Sequence, residues 1–488
     1  MNYSIIRIVL GHVIRFEGIF MLIPALIALF YGERAGIYFV LCAAGCLLAG
    51  TFMTRKKAEN RSFFAKEGFV TVSASWVILS VIGALPFIFS GVMSNPVDAL
   101  FEIVSGFTTT GASILADVES LPKCVLFWRS FSHWIGGMGV LVFILAILPL
   151  SGSSEVYLMS AESPGPKFGK LVPKLQKSAM VLYKIYFGMT VIEVILLLAG
   201  GMTVFDAVCT SFGTAGTGGF GLYNDSMGGF SSYIQSVVTI FMLLFGVNFN
   251  FYFFLLIKEF RSAFAMEEVR CYFAIFAAAT IFIAANLTIT EGNPLYQLHH
   301  SAFQVASVMT TTGFSTIDFN LWPNFSRIIL VVLMFVGACA GSTGGGMKVS
   351  RFIIYFKTLK KELSVMIHPR SVKVIKSDGK PIDHDTIRST NIFLIAYGFI
   401  FTFSLLLISL DNFDITTSFT AVAATFNNIG PGLEIVGPTG NFSVFSNFSK
   451  LVLVFDMLAG RLEIFPMLIL FAPGTWKNSL HWERRKNS

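Results

Sequence analysis

The chain has 488 residues, of which 54% are hydrophobic and 13% are charged, and its mean hydropathy is +0.72. A soluble domain of this composition would expose a large apolar surface, so the composition predicts a polytopic membrane protein. The formal net charge of +7 is interpreted as a sign of membrane topology and predicts no binding of nucleic acid.

Ten apolar stretches approach the roughly 20 residues that a helix needs to cross a bilayer. In chain order they cover about residues 5–30, 36–53, 69–91, 125–150, 180–200, 232–257, 271–289, 327–356 (interrupted), 390–410 and 449–472. The first stretch is not expected to be a cleaved signal peptide, because it is long, contains Arg15 and Glu17, and is followed by another span. We therefore expect about ten transmembrane helices.

Basic residues are concentrated in every second loop between these spans. Of the 35 Lys and Arg residues, 26 lie in segments 54–68, 151–179, 258–270, 348–388 and the tail from 477. Five are assigned to the alternate loops or to the ends of the spans beside them: Arg34, Lys123, Arg129, Arg327 and Lys450. Because cytoplasmic loops are enriched in Lys and Arg, the first set and both termini are predicted to be cytoplasmic. Contact with anionic lipid would explain most of these charges.

A glycine-centred phrase occurs four times, each time after an apolar segment too short to cross a bilayer. The phrases are Thr108-Thr109-Thr110-Gly111, Gly216-Thr217-Gly218-Gly219, Thr310-Thr311-Thr312-Gly313 and Asn427-Asn428-Ile429-Gly430. The final residues, called here the key glycines, are separated by 108, 94 and 117 residues. The chain therefore contains four copies of one unit, each with a span, a short segment, the phrase and a second span.

The short segments are predicted to be re-entrant helices that end near the middle of the membrane. They are residues 98–107, 206–215, 300–309 and 417–426, and they follow the helix-start residues Asn95-Pro96, Thr203, Asn293-Pro294 and Asp414. A helix of about 11 to 15 residues at 1.5 Å per residue reaches roughly halfway across the bilayer. Its C-terminal end is partly negative, so four such helices would create a site that favours a cation.

Four such turns are what a cation filter requires, because backbone carbonyl oxygens must replace the hydration shell of the ion. Glycine allows backbone angles that a Cβ atom disfavours, and irregular backbone at this depth must line a cavity or be buried in protein. A single phrase would more simply be a turn or a packing notch, but four in register favour an ion pore. The predicted potassium-binding residues are Thr109, Thr110, Gly111, Thr217, Gly218, Gly219, Thr311, Thr312, Gly313, Asn428, Ile429 and Gly430.

The eighth apolar stretch is interrupted by a run of small residues from Gly337 to Lys348. Its predicted gating residues are Gly337, Gly341, Ser342, Thr343, Gly344, Gly345, Gly346 and Lys348. This run should break the helix just inside the filter and obstruct the pore, although a packing loop at the cytoplasmic end is the alternative. It is not a nucleotide-binding loop, since Met347 precedes the lysine and Val349 follows it.

Arg461 lies in the middle of the last predicted span. A charge at that depth costs at least about 2.5–3.5 kcal/mol, so the side chain should face water or a partner. One hypothesis is an ion pair with Asp456 or Glu463 that locks helices together. The preferred hypothesis is a cation in the pore wall below the filter, where it repels permeating ions.

Four segments carry a resemblance to a known family: Trp134-Ile-Gly-Gly-Met-Gly-Val-Leu-Val through Leu148-Pro149, Ala161-Glu162-Ser163-Pro164-Gly165-Pro166, Ala340–Gly346 and Phe426–Gly432. They resemble the TrkH family, the membrane subunit of the bacterial Trk potassium-uptake system, in a superfamily with KtrB and HKT transporters. The resemblance covers about residues 1–475. Two additional N-terminal spans are similar to TrkH and absent from KtrB.

The resemblance implies an all-α membrane protein with two N-terminal helices and four pore repeats arranged pseudo-fourfold around one pore. The expected units are residues 1–65, 66–150, 151–258, 259–375 and 376–488. The resemblance also implies K⁺ as the transported ion, location in the bacterial cytoplasmic membrane, a homodimer, a cytosolic nucleotide-binding regulator of the TrkA type, and restriction of flow by residues 337–347 and Arg461.

Other functions remain open. A sodium-permeable or cation-coupled transporter of the same fold is one alternative, because the second phrase departs from the Thr-Thr-Thr-Gly of the first and third. An alternating-access carrier is another, although it would need inverted halves. An enzyme is not expected, since the sequence lacks a His-Glu-x-x-His motif or a nucleophile in a Gly-x-Ser-x-Gly context.

Overall fold

The computed structural model describes residues 1–56, 64–139, 175–370 and 373–476. Regular structure in these ranges is helical apart from two strands of two residues each, β1 (Lys376–Ser377) and β2 (Lys380–Pro381), which pair antiparallel. Large apolar side chains such as Leu29 and Ile289 are exposed on the long helices, as expected where a helix faces lipid. The predicted all-α polytopic membrane fold is confirmed.

A helical hairpin precedes the repeats. Helix α1 (Tyr3–Tyr31) ends at Gly32, whose left-handed φ of 70° turns the chain toward α2 (Gly36–Thr54). The hairpin packs against the first repeat, where the rings of Phe39 and Trp128 meet edge to face with centroids 6.1 Å apart.

The rest of the chain repeats one pattern, in which a long helix is followed by a short helix, a turn and a second, shorter helix. Repeat 1 contains α3 (Ala65–Phe89), α4 (Pro96–Phe107) and α5 (Lys123–Gly137); repeat 2 contains α6 (Leu175–Ala199), α7 (Val204–Gly216), α8 (Ser232–Phe245) and α9 (Phe249–Leu256). After the connecting helix α10 (Phe260–Ala265), repeat 3 contains α11 (Glu267–Glu291), α12 (Pro294–Met309), α13 (Asn324–Val336) and α14 (Val349–Ile367). Repeat 4 contains α15 (His384–Ile408), α16 (Ile415–Phe426), α17 (Asn447–Arg461) and α18 (Phe465–Phe471), and α19 (Pro473–Trp476) follows.

Every one of the ten apolar stretches contains helix. Six helices in the described part of the chain are long and apolar enough to cross a membrane, namely α1, α2, α3, α6, α11 and α15, and the bent pair of α8 and α9 makes a seventh. The three remaining stretches contain α5, α13 with α14, and α17 with α18. The part of the fourth stretch from residue 140 to 150 lies outside the described residues.

The four short helices α4, α7, α12 and α16 begin where the sequence predicts. In each, the side chain before the helix accepts a hydrogen bond from a backbone N–H of the first turn: Asn95 from Val97, Thr203 from Asp206, Asn293 from Tyr296 and Asp414 from Thr417. These caps satisfy backbone donors that have no partner within the helix. All four helices end at the glycine-centred phrases.

The second span of repeat 3 is interrupted as predicted, and stretches 232–257 and 449–472, for which no interruption was predicted, are broken as well. In repeat 2, α8 ends at Phe245 and α9 continues from Phe249 at an angle of 91°. In repeat 4, α17 ends at Arg461 and α18 begins at Phe465. The second helix of each of these repeats therefore breaks soon after it passes the glycine-centred turns.

Candidate ion filter and the loop beside it

The four glycine-centred turns share one unusual backbone conformation. The second residue of each phrase has a left-handed φ: 56° at Thr109, 55° at Thr217, 62° at Thr311 and 55° at Asn428. The key glycine is also left-handed, with φ of 78°, 70°, 86° and 100° from repeat 1 to repeat 4. A β-branched residue rarely adopts such angles, so three threonines are held in a strained conformation.

Each turn is held by the same hydrogen bond to the short helix that precedes it. The residue before the key glycine donates its N–H to the carbonyl five residues earlier: Thr110 to Ser105 (2.8 Å), Gly218 to Gly213 (2.8 Å), Thr312 to Ser307 (2.9 Å) and Ile429 to Ala424 (2.8 Å). This is the wide bond that closes a helix around a left-handed residue. The shared bond explains how four different sequences reach one shape.

The turns pack against one another in a closed circle. Each key glycine lies against the carbonyl oxygen that precedes the key glycine of the next repeat, so closely that an added Cβ atom would crowd or overlap that oxygen. The pairs are Gly111 with Gly218, Gly219 with Thr312, Gly313 with Ile429 and Gly430 with Thr110. The contacts run from repeat 1 through repeats 2, 3 and 4 and back to repeat 1, so the four turns form a ring.

Side-chain oxygens add bonds within and between the turns. In repeats 1 and 3 the hydroxyls of the first and third residues of the phrase lie 2.8 Å apart: Thr108 with Thr110, and Thr310 with Thr312. Asn428 of repeat 4 donates to the hydroxyl of Thr110 over 2.9 Å. Repeat 2 has glycine at both positions, and the imidazole of His133 fills the space next to Gly218.

A cavity of about 150 Å³ opens on one side of the ring. It is lined by the four key glycines and by residues that follow them, including Ala112, Phe220, Ser315 and Pro431. We call this cavity the vestibule.

A buried ion pair supports the wall of the vestibule. Arg129 is 2% exposed, lies 2.7 Å from the carboxylate of Glu102, and stacks on Phe220 with 4.2 Å to the ring centroid. Glu102 also accepts from the hydroxyl of Ser113 and the N–H of Ile114, each over 3.0 Å. The expectation that Arg129 belongs to a loop is wrong, since it lies within α5; Arg327 and Lys450 likewise lie within α13 and α17.

The segment from Gly337 to Lys348, called here the intramembrane loop, lies on the other face of the ring. Gly345 donates its N–H to the hydroxyl of Thr311 over 2.6 Å, and Gly346 donates to the carbonyl of Asn427 over 3.0 Å. These partners precede the key glycines in the chain, whereas the vestibule is lined by residues that follow them. The loop and the vestibule are therefore on opposite sides.

The intramembrane loop also contacts the break in repeat 2. Cys339 donates its N–H to the carbonyl of Gly246 over 3.0 Å, and the hydroxyl of Thr343 donates to the carbonyl of Phe245 over 3.2 Å. In turn, the N–H of Phe249 donates to the carbonyl of Gly341 over 3.0 Å. The intramembrane loop therefore contacts the turns of repeats 3 and 4 and the break of repeat 2, all on the face of the ring opposite the vestibule.

The loop doubles back so that its two ends meet. The Cα atom of Gly346 lies within 2.8 Å of the position that a Cβ atom of Gly337 would take. Both glycines have left-handed φ, 72° and 73°, and Ser342 closes a local turn by donating to the carbonyl of Cys339 over 2.7 Å. Lys348 donates to the carbonyl of Gly344, so its ammonium group is directed into the loop.

Glu268 holds the loop from the side. This buried carboxylate of α11 accepts the N–H of Ala340 over 2.6 Å and the N–H of Ser350 over 3.2 Å. It also accepts from the side-chain amide of Asn248 over 3.3 Å. One acidic group thus binds both ends of the loop and the break of repeat 2.

Arg461 lies between the intramembrane loop and the C-terminal end of α5 in repeat 1. Its guanidinium donates to the carbonyl of Thr343 over 2.8 Å and to the carbonyls of Gly136 and Gly137 over 2.6 and 2.8 Å. The prediction placed Arg461 in the middle of an unbroken span. In the structure it is the last residue of α17, at the break before α18. Arg461 thereby connects repeats 1, 3 and 4.

The two carboxylates considered as partners of Arg461 bond elsewhere as well. Glu463 forms an ion pair with Arg351 of α14, and Asp456 accepts from the hydroxyl of Ser404 over 2.6 Å. The guanidinium of Arg351 stacks on Phe393 with 3.8 Å to the ring centroid. This pair links the helix after the loop to the break of repeat 4.

The structure brings all of the predicted filter and loop residues into one region, together with Arg461. The segment Ala161–Pro166 and the tail from residue 477 lie outside the described residues. The sequence analysis did not single out Glu268 and His133, whose contacts form only in the folded chain, and it considered Glu463 only as a partner of Arg461 and not of Arg351. The break in repeat 4 had a local signal, because Pro466 lies in the first turn of α18 and proline favours that position.

Comparisons with known proteins identify relatives of this chain. A family model described as TrkH, a cation transport protein, matches residues 37–478. The Trk system potassium uptake protein TrkH of Salmonella typhimurium is 38% identical over 487 residues, covering 97% of this chain and 99% of that protein. TrkG of Escherichia coli K12, also a Trk system potassium uptake protein, is 34% identical over 490 residues, covering 98% and 100%.

A solved structure has the same fold. The crystal structure of the potassium transporter TrkH from Vibrio parahaemolyticus superposes with a TM-score of 0.88 at 32% identity, covering 98% of this chain and 100% of that chain. With a family model and full-length relatives in agreement, the chain belongs to the TrkH family of cation transport proteins.

Proposed function

We propose that this protein takes up K⁺ across the bacterial cytoplasmic membrane through a channel-like pore. The closed ring of four glycine-centred turns is the observation that supports this function most directly. It lies where the C-terminal ends of four short helices converge, and these ends favour a cation. The relatives are described as potassium uptake proteins, which supports K⁺ as the cargo.

In this proposal the carbonyl oxygens of the four turns replace water around the ion. Potassium sheds its hydration shell more easily than sodium, so coordination by carbonyls alone favours K⁺. A single well-formed ring offers fewer sites than the longer filters of tetrameric potassium channels. The ion would enter from the vestibule, which the key glycines line.

The intramembrane loop and Arg461 form the proposed gate. The loop obstructs the path sterically, and Arg461 places a positive charge in the same space, where its bonds reach the loop and repeat 1. Opening would require the loop to leave the contacts with Thr311, Asn427 and Glu268. Each contact is a hydrogen bond that water could replace in an open pore.

An alternating-access carrier is the second candidate, and the broken second helices favour it, since carriers bind substrates at such breaks. The four repeats nevertheless share one order of elements, and their turns meet in one ring. Inverted halves, which carriers of this kind use, do not fit that arrangement. The channel-like pore is therefore the better supported of the two.

Uptake of potassium or rubidium by the purified protein in liposomes tests this function. We expect radioactive rubidium to accumulate down an imposed gradient, and the gene to restore growth at low potassium in a host that lacks potassium uptake. Flux that remains linear with the gradient supports a pore, whereas saturation with obligatory exchange supports a carrier. Absence of potassium or rubidium transport in both assays would overturn the proposal.

A cytosolic nucleotide-binding regulator of the TrkA type is the proposed partner, with a homodimer as the assembly and both termini in the cytoplasm. Helix α14 follows the loop and contains Lys357, Lys360 and Lys361, which the proposed topology places on the cytoplasmic side. Lys357 pairs with Glu267 over 2.5 Å. Regulator docking on α14 would act directly on the loop.

Charge reversal at Lys357, Lys360 and Lys361 tests this docking surface. We expect weaker co-purification with the regulator and unchanged basal rubidium flux, because none of the three contacts the ring. Reversal at Lys66, which donates to the carbonyl of Gly474 over 3.1 Å, is a control on another part of the basic surface. Unaltered co-purification of the triple variant would count against docking at this helix.

A further inference from the structure

His133 is buried at the junction between the turns of repeats 1 and 2. It lies in α5 and is 0% exposed. Its Nδ1 atom is 2.8 Å from the carbonyl oxygen of Gly106, near the end of the short helix α4. Its Nε2 atom accepts the N–H of Phe220, the residue that follows the key glycine Gly219, over 3.3 Å.

These two partners determine the tautomer of the His133 imidazole. An amide N–H can only donate, so Nε2 must accept, and a carbonyl oxygen can only accept, so Nδ1 must carry the hydrogen. The imidazole is therefore neutral and in a single tautomer. It bridges one repeat to the next through two backbone groups of the candidate filter.

The position of His133 also explains why the second phrase differs from the others. A Cβ atom at Gly218 would overlap the imidazole of His133, and a Cβ atom at Gly216 would overlap the carbonyl oxygen of His133. In repeats 1 and 3 the corresponding positions are the threonine pairs whose hydroxyls lie 2.8 Å apart. Repeat 2 therefore has no side chain of its own at either position, and His133 of repeat 1 occupies both spaces, with its imidazole next to Gly218 and its carbonyl group next to Gly216.

We propose that His133 is a specificity-determining residue of the filter, because it holds the second turn in the shape that the other turns reach with their own side chains. This inference rests on the proposed potassium-selective pore. His133 is a positioning residue: it acts through the backbone of Gly218, Gly219 and Phe220, and it does not itself coordinate the ion. The departure of the second phrase from Thr-Thr-Thr-Gly is thus compensated, and need not lower selectivity.

The test compares rubidium and sodium uptake in liposomes for the wild type, His133→Ala and His133→Asn. Loss of the imidazole leaves the N–H of Phe220 and the carbonyl of Gly106 without this hydrogen-bond partner. His133→Ala should therefore lower the rubidium-to-sodium ratio by roughly tenfold. His133→Asn keeps an N–H for Gly106 but is too short to reach both groups, so we expect an intermediate ratio. If His133→Ala does not fold, the asparagine variant alone decides the matter.

A second pair of variants tests the exchange of side chains between repeats. Gly218→Thr alone should overlap the imidazole and impair folding or selectivity, whereas His133→Ala combined with Gly218→Thr should recover part of the ratio lost in His133→Ala. His300→Ala is the matched control, since His300 is a buried histidine that bonds Thr316 over 2.8 Å instead of a turn residue. That control should keep the wild-type ratio.

The outcomes separate this inference from the proposed function. A wild-type protein that carries no rubidium contradicts the pore itself. A selective wild type with an equally selective His133→Ala, even at lower melting temperature, leaves the pore standing and overturns the role of His133. A fall in the ratio with His133→Ala that exceeds that of His300→Ala supports it.

Discussion

The ring of turns and the breaks in the second helices lie side by side, yet they keep the fourfold pattern to different degrees. The four turns agree in φ and in the bond that closes each helix. The breaks differ, with three residues between α8 and α9, twelve between α13 and α14, and three between α17 and α18. In the proposed pore, the regular part is the one where four turns would coordinate one ion, and the irregular part is the one where the proposed gate lies.

The difference also appears in the kind of contact. Within the ring, each turn touches the next one through backbone atoms, so every repeat has the same role. At the breaks, single side chains make the connections: Glu268 of repeat 3 binds both ends of the loop, and Arg461 of repeat 4 reaches repeats 1 and 3. Substitutions in the two regions should therefore have opposite effects, loss of selectivity in the ring and gain of flux at the breaks.

The largest effect is expected for Gly313→Ser in the ring. The serine would have to adopt the φ of 86° that Gly313 has, and its Cβ atom would overlap the carbonyl oxygen of Ile429. Strain of about 1–3 kcal/mol in one turn should reduce discrimination between potassium and sodium roughly ten- to hundredfold. The ratio of rubidium to sodium uptake measures it. Gly91→Ser is the matched control, since Gly91 has φ of 74° and nothing within 4 Å of the added atom.

A folded Gly313→Ser variant with an unchanged ratio would show that this glycine does not shape the filter. Expression should survive the substitution, because the strain is confined to one turn. If Gly91→Ser lowers the ratio equally, backbone strain in general is responsible and the ring has no special role.

Shortening the intramembrane loop should have the next largest effect and would make repeat 3 resemble its neighbours. Replacing Gly337–Lys348 by the three residues Gly246-Val247-Asn248 of repeat 2 removes the segment that touches Thr311 and Asn427. We expect basal rubidium flux per folded protein to rise about tenfold, which corresponds to about 1.4 kcal/mol of barrier. Unchanged or lower flux in a protein of normal melting temperature contradicts a gating role.

Arg461→Ala should raise flux less, because it removes the charge and leaves the loop in place. A barrier lowered by about 1 kcal/mol gives roughly fivefold faster rubidium entry. Arg461→Lys keeps the charge without the fork of donors, so it should stay close to the wild-type flux. If Arg461 mainly locked helices, its loss would cost about 3–5 kcal/mol, and a low melting temperature without faster flux would sink the gate hypothesis.

The smallest effect is expected for Glu268→Gln, which keeps the shape of the side chain and weakens its bonds to Ala340 and Ser350. Hydrogen bonds to charged groups are stronger than neutral ones by about 1 kcal/mol, and part of that difference should appear as roughly threefold higher basal flux. Glu267→Gln is the control, since Glu267 precedes Glu268 on α11 but pairs with Lys357 and not with the loop. Equal flux in both variants would remove Glu268 from the gate.

Local signals in the sequence were enough for the repeats and their short helices. Asn95, Thr203, Asn293 and Asp414 cap the helices that they were expected to cap, because a cap depends on residues within one turn. The register of the key glycines appears again in the φ values. The breaks of repeats 2 and 4 were missed because an apolar stretch of sufficient length predicts a span whether or not the helix continues.

The partners of individual side chains could not be predicted. Arg461 was expected in mid-span with a carboxylate or facing the pore, and its described bonds go to carbonyl groups of two other repeats that are 118 or more residues away in the chain. Likewise, Arg129 was assigned to a loop although it is buried against Glu102. Such contacts depend on how whole helices pack, which no local pattern specifies.

The sequence by itself determined that this is a helical membrane protein of four similar units, since hydropathy, helix caps and glycine spacing act over a few residues at a time. The tertiary structure alone decided that the four turns close into a ring, that His133 bonds to the turn of another repeat, and that one loop contacts the turns from the side opposite the vestibule. The physical reason is that carbonyl groups, glycines and bonding side chains acquire these roles only from the neighbours that packing brings within a few ångströms.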